Sequence, residues 1–168
     1  MTIRLRVLTL ARVGLTCKPW VVTLVSELPG RFCSIAAALE VVGDRWSLLA
    51  VREVSLGHHR FSEILAGTGA PRDRLSARLK ALVEAEVLER RQYSEAPPRF
   101  DYHLTRAGKD LLPVLRSLMA WGDRWAVEAP PVTLLHHEHE LAAVTTCATC
   151  GERVHNADLH RRVNAPTG

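Results

Sequence analysis

Apolar positions recur at helical spacing between residues 33 and 43. Ile35, Leu39 and Val42 lie three or four positions apart, which is the spacing of one helix face. Gly43 follows them, and glycine commonly ends a helix because it adopts backbone conformations that other residues disfavour. The pattern predicts a first helix that begins near Cys33 and ends at Gly43.

A second helix is predicted directly after the first. Asp44 is a good N-cap residue, since its side chain accepts a hydrogen bond from a free N–H group of the first turn. The charged residues Arg45, Arg52 and Glu53 are expected to face water, and Gly57 ends the helix. One apolar stripe is expected to be buried, formed by Trp46, Leu49, Ala50, Val51 and Val54.

The next two helices are predicted to be joined by a short turn. Ser62, or the residue before it, opens a short helix that runs through Ala66, and Gly67-Thr68-Gly69 supplies the turn. Pro71 is placed in the first turn of the following helix, where its missing N–H group does no harm. The core-facing stripe of that helix consists of Leu75, Leu79, Leu82 and Val83.

The opposite face of this helix is basic and is a candidate DNA-binding surface. At about 100° per residue, it contains Asp73, Arg74, Ala77, Arg78 and Ala81. Small alanines among arginines let a helix approach a duplex closely, and guanidinium groups bind guanine edges and phosphates. The alternative is an ordinary amphipathic surface helix with a solvated charged face.

Two strand-like segments come next, Val87 to Tyr93 and Phe100 to Leu104, and Ser94-Glu95-Ala96-Pro97-Pro98 is predicted to form the tip between them. The tip is flanked by basic residues that would meet phosphates, namely Arg90, Arg91 and Arg99. A helix, a turn, a basic helix and a basic hairpin in this order predict a winged helix-turn-helix. The fold is mainly α with a small β-hairpin, an α+β architecture.

A long helix is predicted from Thr105, its N-cap, to Trp125, with a kink at Pro113. Its apolar face contains Leu111, Leu115, Leu118, Met119, Trp121 and Trp125. Much of this face would be exposed in a monomer, which suggests a contact with a partner. The alternative is that the face completes the core of the monomer.

Composition and charge agree with a globular DNA-binding protein. The 168 residues are 47% hydrophobic and carry a formal net charge of +4, which suits one domain with terminal appendages. Residues 127–168 contain three basic and five acidic residues, so the tail is not the expected DNA-binding part. The four cysteines are too few and too unevenly spaced for the disulfide scaffold of a small secreted protein. Reduced thiols in a cytoplasm are expected.

Five segments together closely resemble the HxlR-type transcriptional regulators: Gly43-Asp44-Arg45-Trp46, Arg60-Phe61-Ser62-Glu63-Ile64-Leu65, Leu75 to Leu82, Leu88-Glu89-Arg90-Arg91 and Tyr102 to Gly108. The resemblance covers roughly residues 31–126, within a predicted domain of residues 31–127. It implies a bacterial-type homodimer that dimerises through the apolar face of the C-terminal helix, together with the first helix, and binds an inverted-repeat operator near the regulated gene. We expect it to act as a repressor. The predicted DNA-binding residues are Arg72, Asp73, Arg74, Ser76, Ala77, Arg78, Lys80, Arg90, Arg91 and Arg99.

The chain departs from the resembled family at two places. Ala70 occupies the predicted N-cap position where such proteins often have serine, so a cap worth about 1 kcal/mol is missing. Ala85-Glu86-Val87 replaces a glycine that is usual before the first strand. We expect an altered entry to the wing.

Cys33 is a candidate sensor. It opens the first helix near its N-terminus, where the helix dipole favours a thiolate. In several proteins of the resembled family a cysteine at this place senses electrophiles or oxidants, so such an effector is an expected partner. The alternative is a small buried residue at the dimer interface.

Residues 1–30 are predicted to be an N-terminal extension, with Arg4, Arg6 and Arg12 among apolar residues. The segment fits a targeting sequence or a basic amphipathic helix. A third interpretation is an artefact of start-site choice, with the natural product beginning near Val25. The chain contains no uninterrupted apolar stretch of about 18 residues, so no membrane partner is expected.

Residues 128–168 are predicted to be a tail with a zinc knuckle. Cys147-Ala148-Thr149-Cys150-Gly151 is a C-x-x-C motif followed by glycine, which presents two thiolates to one zinc ion. Two imidazoles would complete a tetrahedral structural site, supplied by His137 and His139, with His136 or His155 as substitutes. No cofactor is required for the predicted function, and the alternative is a disordered tail with unused ligands.

Three classes of function are compatible with these features. The first is a non-catalytic, cytoplasmic DNA-binding regulator associated with the nucleoid, and the second is a winged helix that contacts only proteins. The third is a zinc metalloenzyme centred on the tail. It is disfavoured because no H-E-x-x-H motif, plausible nucleophile, paired carboxylates or phosphate-cradling loop accompanies the Cys/His cluster.

Overall fold

The computed structural model describes residues 33–162. The predicted N-terminal extension, with its targeting and start-site interpretations, lies outside the described residues. The chain divides into two compact units, Met1–Met119 and Ala120–Gly168.

The first unit has the predicted winged helix-turn-helix architecture. Four helices come first: α1 (Ser34–Val42), α2 (Arg45–Ser55), α3 (Phe61–Thr68) and α4 (Arg72–Glu84). An antiparallel hairpin follows, formed by β1 (Leu88–Glu95) and β2 (Pro98–Leu104), and then come α5 (Arg106–Asp110) and α6 (Leu112–Trp125). The α+β fold class expected from the sequence is therefore confirmed.

The core lies between α2, α3, α4 and the start of β1. Its largest fully buried side chains include Val51, Ile64, Leu75, Leu79, Leu82 and Leu88. Each buried leucine contributes about 1.5–3 kcal/mol relative to an exposed one. The predicted stripe on α4 is confirmed for its three leucines, whereas Val83 is only half-buried. In α2, Ala50, Val51 and Val54 are buried, and Trp46 and Leu49 are half-buried.

Two predicted helix caps are confirmed. The Asp44 carboxylate accepts a hydrogen bond of 2.9 Å from the backbone N–H of Trp46 at the start of α2. The Thr105 hydroxyl accepts one of 3.2 Å from the N–H of Gly108 at the start of α5. Each bond satisfies a donor that the first helical turn leaves unpaired.

The prediction that Glu53 faces water is wrong, since the residue is only 3% exposed. Its carboxylate accepts a hydrogen bond of 2.8 Å from Arg52 Nε and lies 2.7 Å from His58 Nδ1. Burial alone would raise the pKa of Glu53, but the bonds to His58 and Arg52 outweigh burial and lower the pKa. A charged buried carboxylate is tolerated because it is paired. Arg45 is exposed and Arg52 is half-buried.

The turn between α3 and α4 begins two residues later than predicted. Gly67 and Thr68 belong to α3, and the Thr68 hydroxyl donates a bond of 2.8 Å to the Ile64 carbonyl inside the helix. Gly69 ends the helix with φ of 64°, a left-handed conformation that glycine adopts without strain. The three-residue turn is therefore Gly69 to Pro71.

Pro71, rather than Ala70, occupies the N-cap position of α4, which begins at Arg72. The prediction that Pro71 lies within the helix was wrong by one residue. Ala70 is buried, and its N–H group donates to the Thr68 hydroxyl at 3.3 Å. Thr68 thus satisfies the backbone N–H group of the buried Ala70.

The hairpin is longer than predicted and its tip is smaller. Glu95 pairs with Pro98, so only Ala96 and Pro97 remain outside the strands, and the register shifts between Gln92 and Ser94. Glu86 precedes β1 with φ of 53°, in the conformation that glycine would favour. Its carbonyl accepts a hydrogen bond from the Thr105 hydroxyl, which helps to hold this turn.

The predicted long C-terminal helix is two helices. The break lies at Leu111, between α5 and α6. Pro113 is therefore the second residue of α6 and not a kink inside a longer helix. The first turn of a helix tolerates proline because its N–H groups have no intrahelical acceptor.

The described part of the second unit contains the end of α6, a two-stranded hairpin and a short 3₁₀ turn. The strands are β3 (Leu135–His136) and β4 (His139–Glu140), and the 3₁₀ turn is Asn156–Asp158. None of the residues from Ala120 to Arg162 is buried. Within residues 33–162 no helix is long and apolar enough to cross a membrane.

Candidate nucleic-acid interface

The face of α4 opposite the core is exposed and carries charge. Because Leu75, Leu79 and Leu82 are buried, the opposite face of α4 points away from the core. Six of the predicted contact residues are exposed there: Arg72, Asp73, Arg74, Ser76, Ala77 and Lys80. Arg78 is half-buried, because it lies about 60° from Leu75 around the helix axis.

The N-terminal end of α4 forms an open depression with α3. It has a volume of about 580 Å³ and is lined by Phe61, Arg72, Asp73 and Ser76. The Arg72 guanidinium lies over the Phe61 ring at 5.0 Å, which holds this arginine beside the depression. At the other end of the helix, Lys80 lies 3.8 Å from Glu84 in an exposed pair that contributes little stability.

The three predicted arginines of the wing differ in their surroundings. The Arg90 guanidinium lies over the Phe100 ring at 3.7 Å. Arg91 forms an ion pair with Glu89 on the same strand. Arg99 is exposed beside the tip. The hairpin therefore presents cations on its surface, two of them held by neighbouring side chains.

Sequence reasoning missed Arg60, which connects α3 to the wing. Arg60 precedes α3, pairs with Asp101 through a short antiparallel bridge, and places its guanidinium 5.4 Å from the centre of the Tyr93 ring. It thus adds a cation at the base of the hairpin. Arg60 is positioned by its pairing with Asp101, which lies 41 positions later in the chain, so no local sequence pattern reveals this role.

Glu63 completes the start of α3. Its carboxylate accepts hydrogen bonds from the backbone N–H groups of Arg60 at 2.9 Å and His59 at 3.0 Å. The bond from Arg60 is the main cause that lowers the pKa of Glu63. A carboxylate at this position stabilises the helix start by satisfying donors and by interacting with the helix dipole.

Two histidines fix the wing to the helix-turn-helix. His59 Nδ1 donates to the Tyr102 carbonyl at 2.9 Å, and the N–H group of Tyr102 donates to the His59 carbonyl at 2.8 Å. The His59 and His103 rings stack at 4.3 Å, and His103 Nε2 lies 3.2 Å from Asp101 Oδ1. Burial raises the pKa of Tyr102. The strand was predicted from the sequence, but these contacts were not.

The predicted dimerisation residues fall into two groups. Leu111 and Leu115 are half-buried and pack against the core of the first unit. Leu118, Trp121 and Trp125 are exposed at 50%, 59% and 68%, and Met119 is half-buried. On α1, Ile35 and Leu39 are exposed at 70% and 56%. Part of the predicted face therefore completes the monomer core, and part of it is uncovered apolar surface.

The candidate sensor Cys33 is half-buried at the N-cap position of α1. Its carbonyl accepts a hydrogen bond of 3.1 Å from the N–H group of Ala37. The side chain thus stands at the start of the helix that carries Ile35 and Leu39.

In the second unit, the candidate metal ligands form two separate groups. The Cys147 thiol accepts hydrogen bonds from the backbone N–H groups of Cys150 and Thr149, which lower its pKa to about 7. The rings of His136 and His139 lie 5.5 Å apart, and His137 is 4.2 Å from His136. Across residues 33–162, no group of three or more His, Cys, Asp or Glu side chains is arranged to hold a metal ion.

The family model of HxlR-like helix-turn-helix proteins matches residues 41–130. An uncharacterized HTH-type transcriptional regulator of Mycobacterium tuberculosis, Rv3095, is 43% identical over 137 residues, which cover 77% of this chain and 86% of the relative. The family model thus covers α2, α3, α4 and the wing.

Two solved structures share the architecture. The crystal structure of PA1607, described as a transcription factor, aligns with a TM-score of 0.69 at 28% identity and covers 79% of this chain and 95% of the other. PA1374 from Pseudomonas aeruginosa, also described as a transcription factor, aligns with a TM-score of 0.59 at 33% identity, over 81% of this chain and 94% of the other.

Proposed function

Because the chain belongs to the HxlR-like helix-turn-helix family, we infer that it is a DNA-binding transcriptional regulator without catalytic activity. The observation that carries this inference is the exposed face of α4, where Arg72, Arg74 and Lys80 stand beside the small Ala77. A helix with small residues among cations fits a major groove and reads base edges there. A DNA target places the protein in the cytoplasm, at the nucleoid.

The wing supplies the second part of the proposed interface. Arg90, Arg91 and Arg99 lie on the hairpin, and Arg60 lies at its base. Cations in such positions bind phosphates and add affinity that does not depend on sequence. The hydrogen bonds between His59 and Tyr102 fix the hairpin relative to α3, so the cations of the wing keep a defined position beside the helix-turn-helix.

We also propose that the regulator is a homodimer that represses by occupying an inverted-repeat operator. The uncovered apolar residues of α1 and α6 support the dimer, because Ile35, Leu39, Leu118 and Trp121 are all at least half exposed in the single chain. Large apolar side chains exposed on a single chain commonly mark an interface between proteins. A two-fold dimer would place two copies of α4 on two half-sites.

Release from DNA is proposed to follow modification of Cys33 by an electrophile or oxidant. Cys33 begins α1, so a group added to its sulfur would lie next to the proposed dimer surface. The added group would alter the dimer contact and therefore the spacing between the two copies of α4, without contacting α4 itself.

Fluorescence anisotropy tests the DNA-binding role. The full chain would be titrated into labelled genomic fragments from upstream of its gene and into a shuffled duplex, at about 50 and 200 mM salt. A regulator binds one fragment more tightly than the shuffled duplex, and its affinity falls steeply with salt. A winged helix that contacts only proteins would bind neither duplex.

A further inference from the structure

The second unit has no hydrophobic core among its described residues. Between Ala126 and Arg162 no side chain is buried, and only Leu141, Cys147 and Val154 are half-buried. A fold of this size cannot be stabilised by so little apolar burial, and small folds of this kind generally depend on a metal ion or a disulfide. The unit therefore needs a stabilising element other than apolar packing.

Two tight hairpins make up this part of the chain. The first is β3–β4, in which His136 and His139 are cross-strand partners and the N–H group of Leu141 donates to the Leu134 carbonyl at 2.8 Å. In the second, Thr146 pairs with Arg153 around the Cys147-to-Cys150 turn. Each hairpin holds two metal-binding residue types separated by two positions.

The cysteine turn is already arranged around one sulfur. The backbone N–H groups of Thr149 and Cys150 donate to Cys147, and the N–H group of Gly151 donates to the Cys147 carbonyl at 2.7 Å. Gly151 has a positive φ of 75°, which lets the chain reverse immediately after Cys150. These contacts keep both cysteines on one turn.

The histidine turn is arranged in a complementary way. His139 Nδ1 donates to the Glu140 carbonyl at 3.0 Å, which leaves Nε2 as the lone-pair nitrogen available to a metal. The His136 and His139 rings are 5.5 Å apart. Two imidazoles bound to one tetrahedral zinc through bonds of about 2.0 Å have ring centres roughly 5 Å apart.

We propose that Cys147, Cys150, His136 and His139 bind one Zn²⁺ ion as a closed structural site. We assign His136 as a ligand instead of His137, which was predicted from the sequence. The β3–β4 register pairs His136 with His139 and leaves His137 in the turn. Since no group of three ligands is assembled among the described residues, the metal must draw the two hairpins together. Binding releases the two thiol protons and is coupled to ordering of the unit.

Metal analysis of the full chain, purified from a zinc-supplemented culture without chelator, tests this site. The expected content is about one zinc ion per chain. A C147S/C150S double variant and a H136Q/H139Q double variant should each lose at least about nine-tenths of that zinc. Cys33→Ser, His137→Gln and His160→Gln are matched controls that should retain it.

A second readout separates ligation from general misfolding. Co²⁺ added to the zinc-depleted protein should give the visible absorption of a tetrahedral ion and thiolate charge-transfer bands, and both should be absent from the C147S/C150S variant. Circular dichroism of the variants should retain the helical signal of the first unit. Wild-type protein without bound zinc, a disulfide between Cys147 and Cys150, retention of zinc by either double variant, or loss of zinc from His137→Gln would overturn the assignment. DNA binding does not enter these measurements, so their outcome is independent of the proposed function.

Discussion

Gly67 in α3 lies directly against the carboxylate of Glu53 in α2, so that a Cβ atom added at Gly67 would overlap Glu53 Oε2 and Cδ. The contact joins α2 to α3, the first helix of the helix-turn-helix. Arg52 strengthens it by donating both to Glu53 and to the Gly67 carbonyl, the latter at 2.9 Å. The spacing of α3 on α2, and with it the position of α4, therefore depends on a glycine and a buried charge.

Gly67→Ala should destabilise the fold by about 1–3 kcal/mol, since the methyl group forces Glu53 from its place. Thermal unfolding monitored by circular dichroism measures the change. The double variant Gly67→Ala with Glu53→Asp supplies the control, because the shorter carboxylate leaves room for the methyl group. Its destabilisation should be at least about 0.5 kcal/mol smaller than the sum for the single variants. Strict additivity would show that the two residues do not meet.

Stability should fall as the pH drops below about 4.5. The pKa values of Glu53 and Glu63 are lowered from 4.5 in the folded chain, so their ionised forms stabilise the fold above that pH. That contribution is lost as the pH falls through the folded-state pKa values. Urea unfolding between pH 3 and pH 7, at about one-unit steps, should show a smaller loss for Glu53→Gln than for wild type. The control Glu84→Gln, at an exposed site, should lose as much stability with falling pH as wild type. If Glu53→Gln also loses as much as wild type, Glu53 does not contribute to the pH dependence.

The helix and wing arginines should have different effects on DNA binding. Arg99→Ala should weaken binding to all sequences and reduce the slope of log affinity against log salt by about 1. Arg74→Ala should cost about 1–3 kcal/mol on the operator and relax its discrimination from a shuffled duplex. Arg161→Ala, in the acidic tail, is the control. Equal losses on operator and shuffled duplex for Arg74→Ala would exclude base reading by this residue.

Leu118→Glu should convert the dimer to a folded monomer. Leu118 is 50% exposed in the single chain, so a carboxylate there is solvated in the monomer but not in the proposed interface. Sedimentation velocity measures the state, and circular dichroism checks the fold. Val144→Glu, at another exposed apolar position outside the predicted interface, should remain dimeric. A dimeric Leu118→Glu protein would remove α6 from the interface.

Cys33→Ser should bind DNA as wild type does but should no longer be released by a thiol oxidant such as diamide. The serine preserves the small side chain at the start of α1 and removes the reactive sulfur. Anisotropy with and without oxidant reports both properties. The C147S/C150S variant should still be released. Release of Cys33→Ser to the wild-type extent would rule out Cys33 as the sensor.

The sequence predicted those parts of the molecule that depend on local patterns. The leucines of α4 revealed their buried face because helical periodicity is a property of neighbouring residues, and Asp44 and Thr105 were recognised as caps from their own chemistry. The basic face of α4 followed from the same periodicity.

The features that the sequence did not reveal depend on partners distant in the chain or on competing local preferences. Glu53 was expected in water because its burial requires His58 and Gly67, which no periodicity connects to it. The contact of His59 with Tyr102 joins residues 43 positions apart. At Leu111 the apolar pattern continues across the break between α5 and α6, so periodicity alone predicted one long helix.

Footprinting on the DNA upstream of its own gene and of the divergent neighbour tests the central claim most directly. The purified chain would be used with reduced thiols, zinc and non-specific competitor, at two salt concentrations. We predict protection of two half-sites in inverted orientation, about one helical turn apart, which weakens at the higher salt. Protection of a single half-site by a chain that sediments as a monomer would contradict the dimeric operator binder. No protection anywhere, together with equal anisotropy on operator and shuffled duplexes, would contradict sequence-specific DNA binding itself.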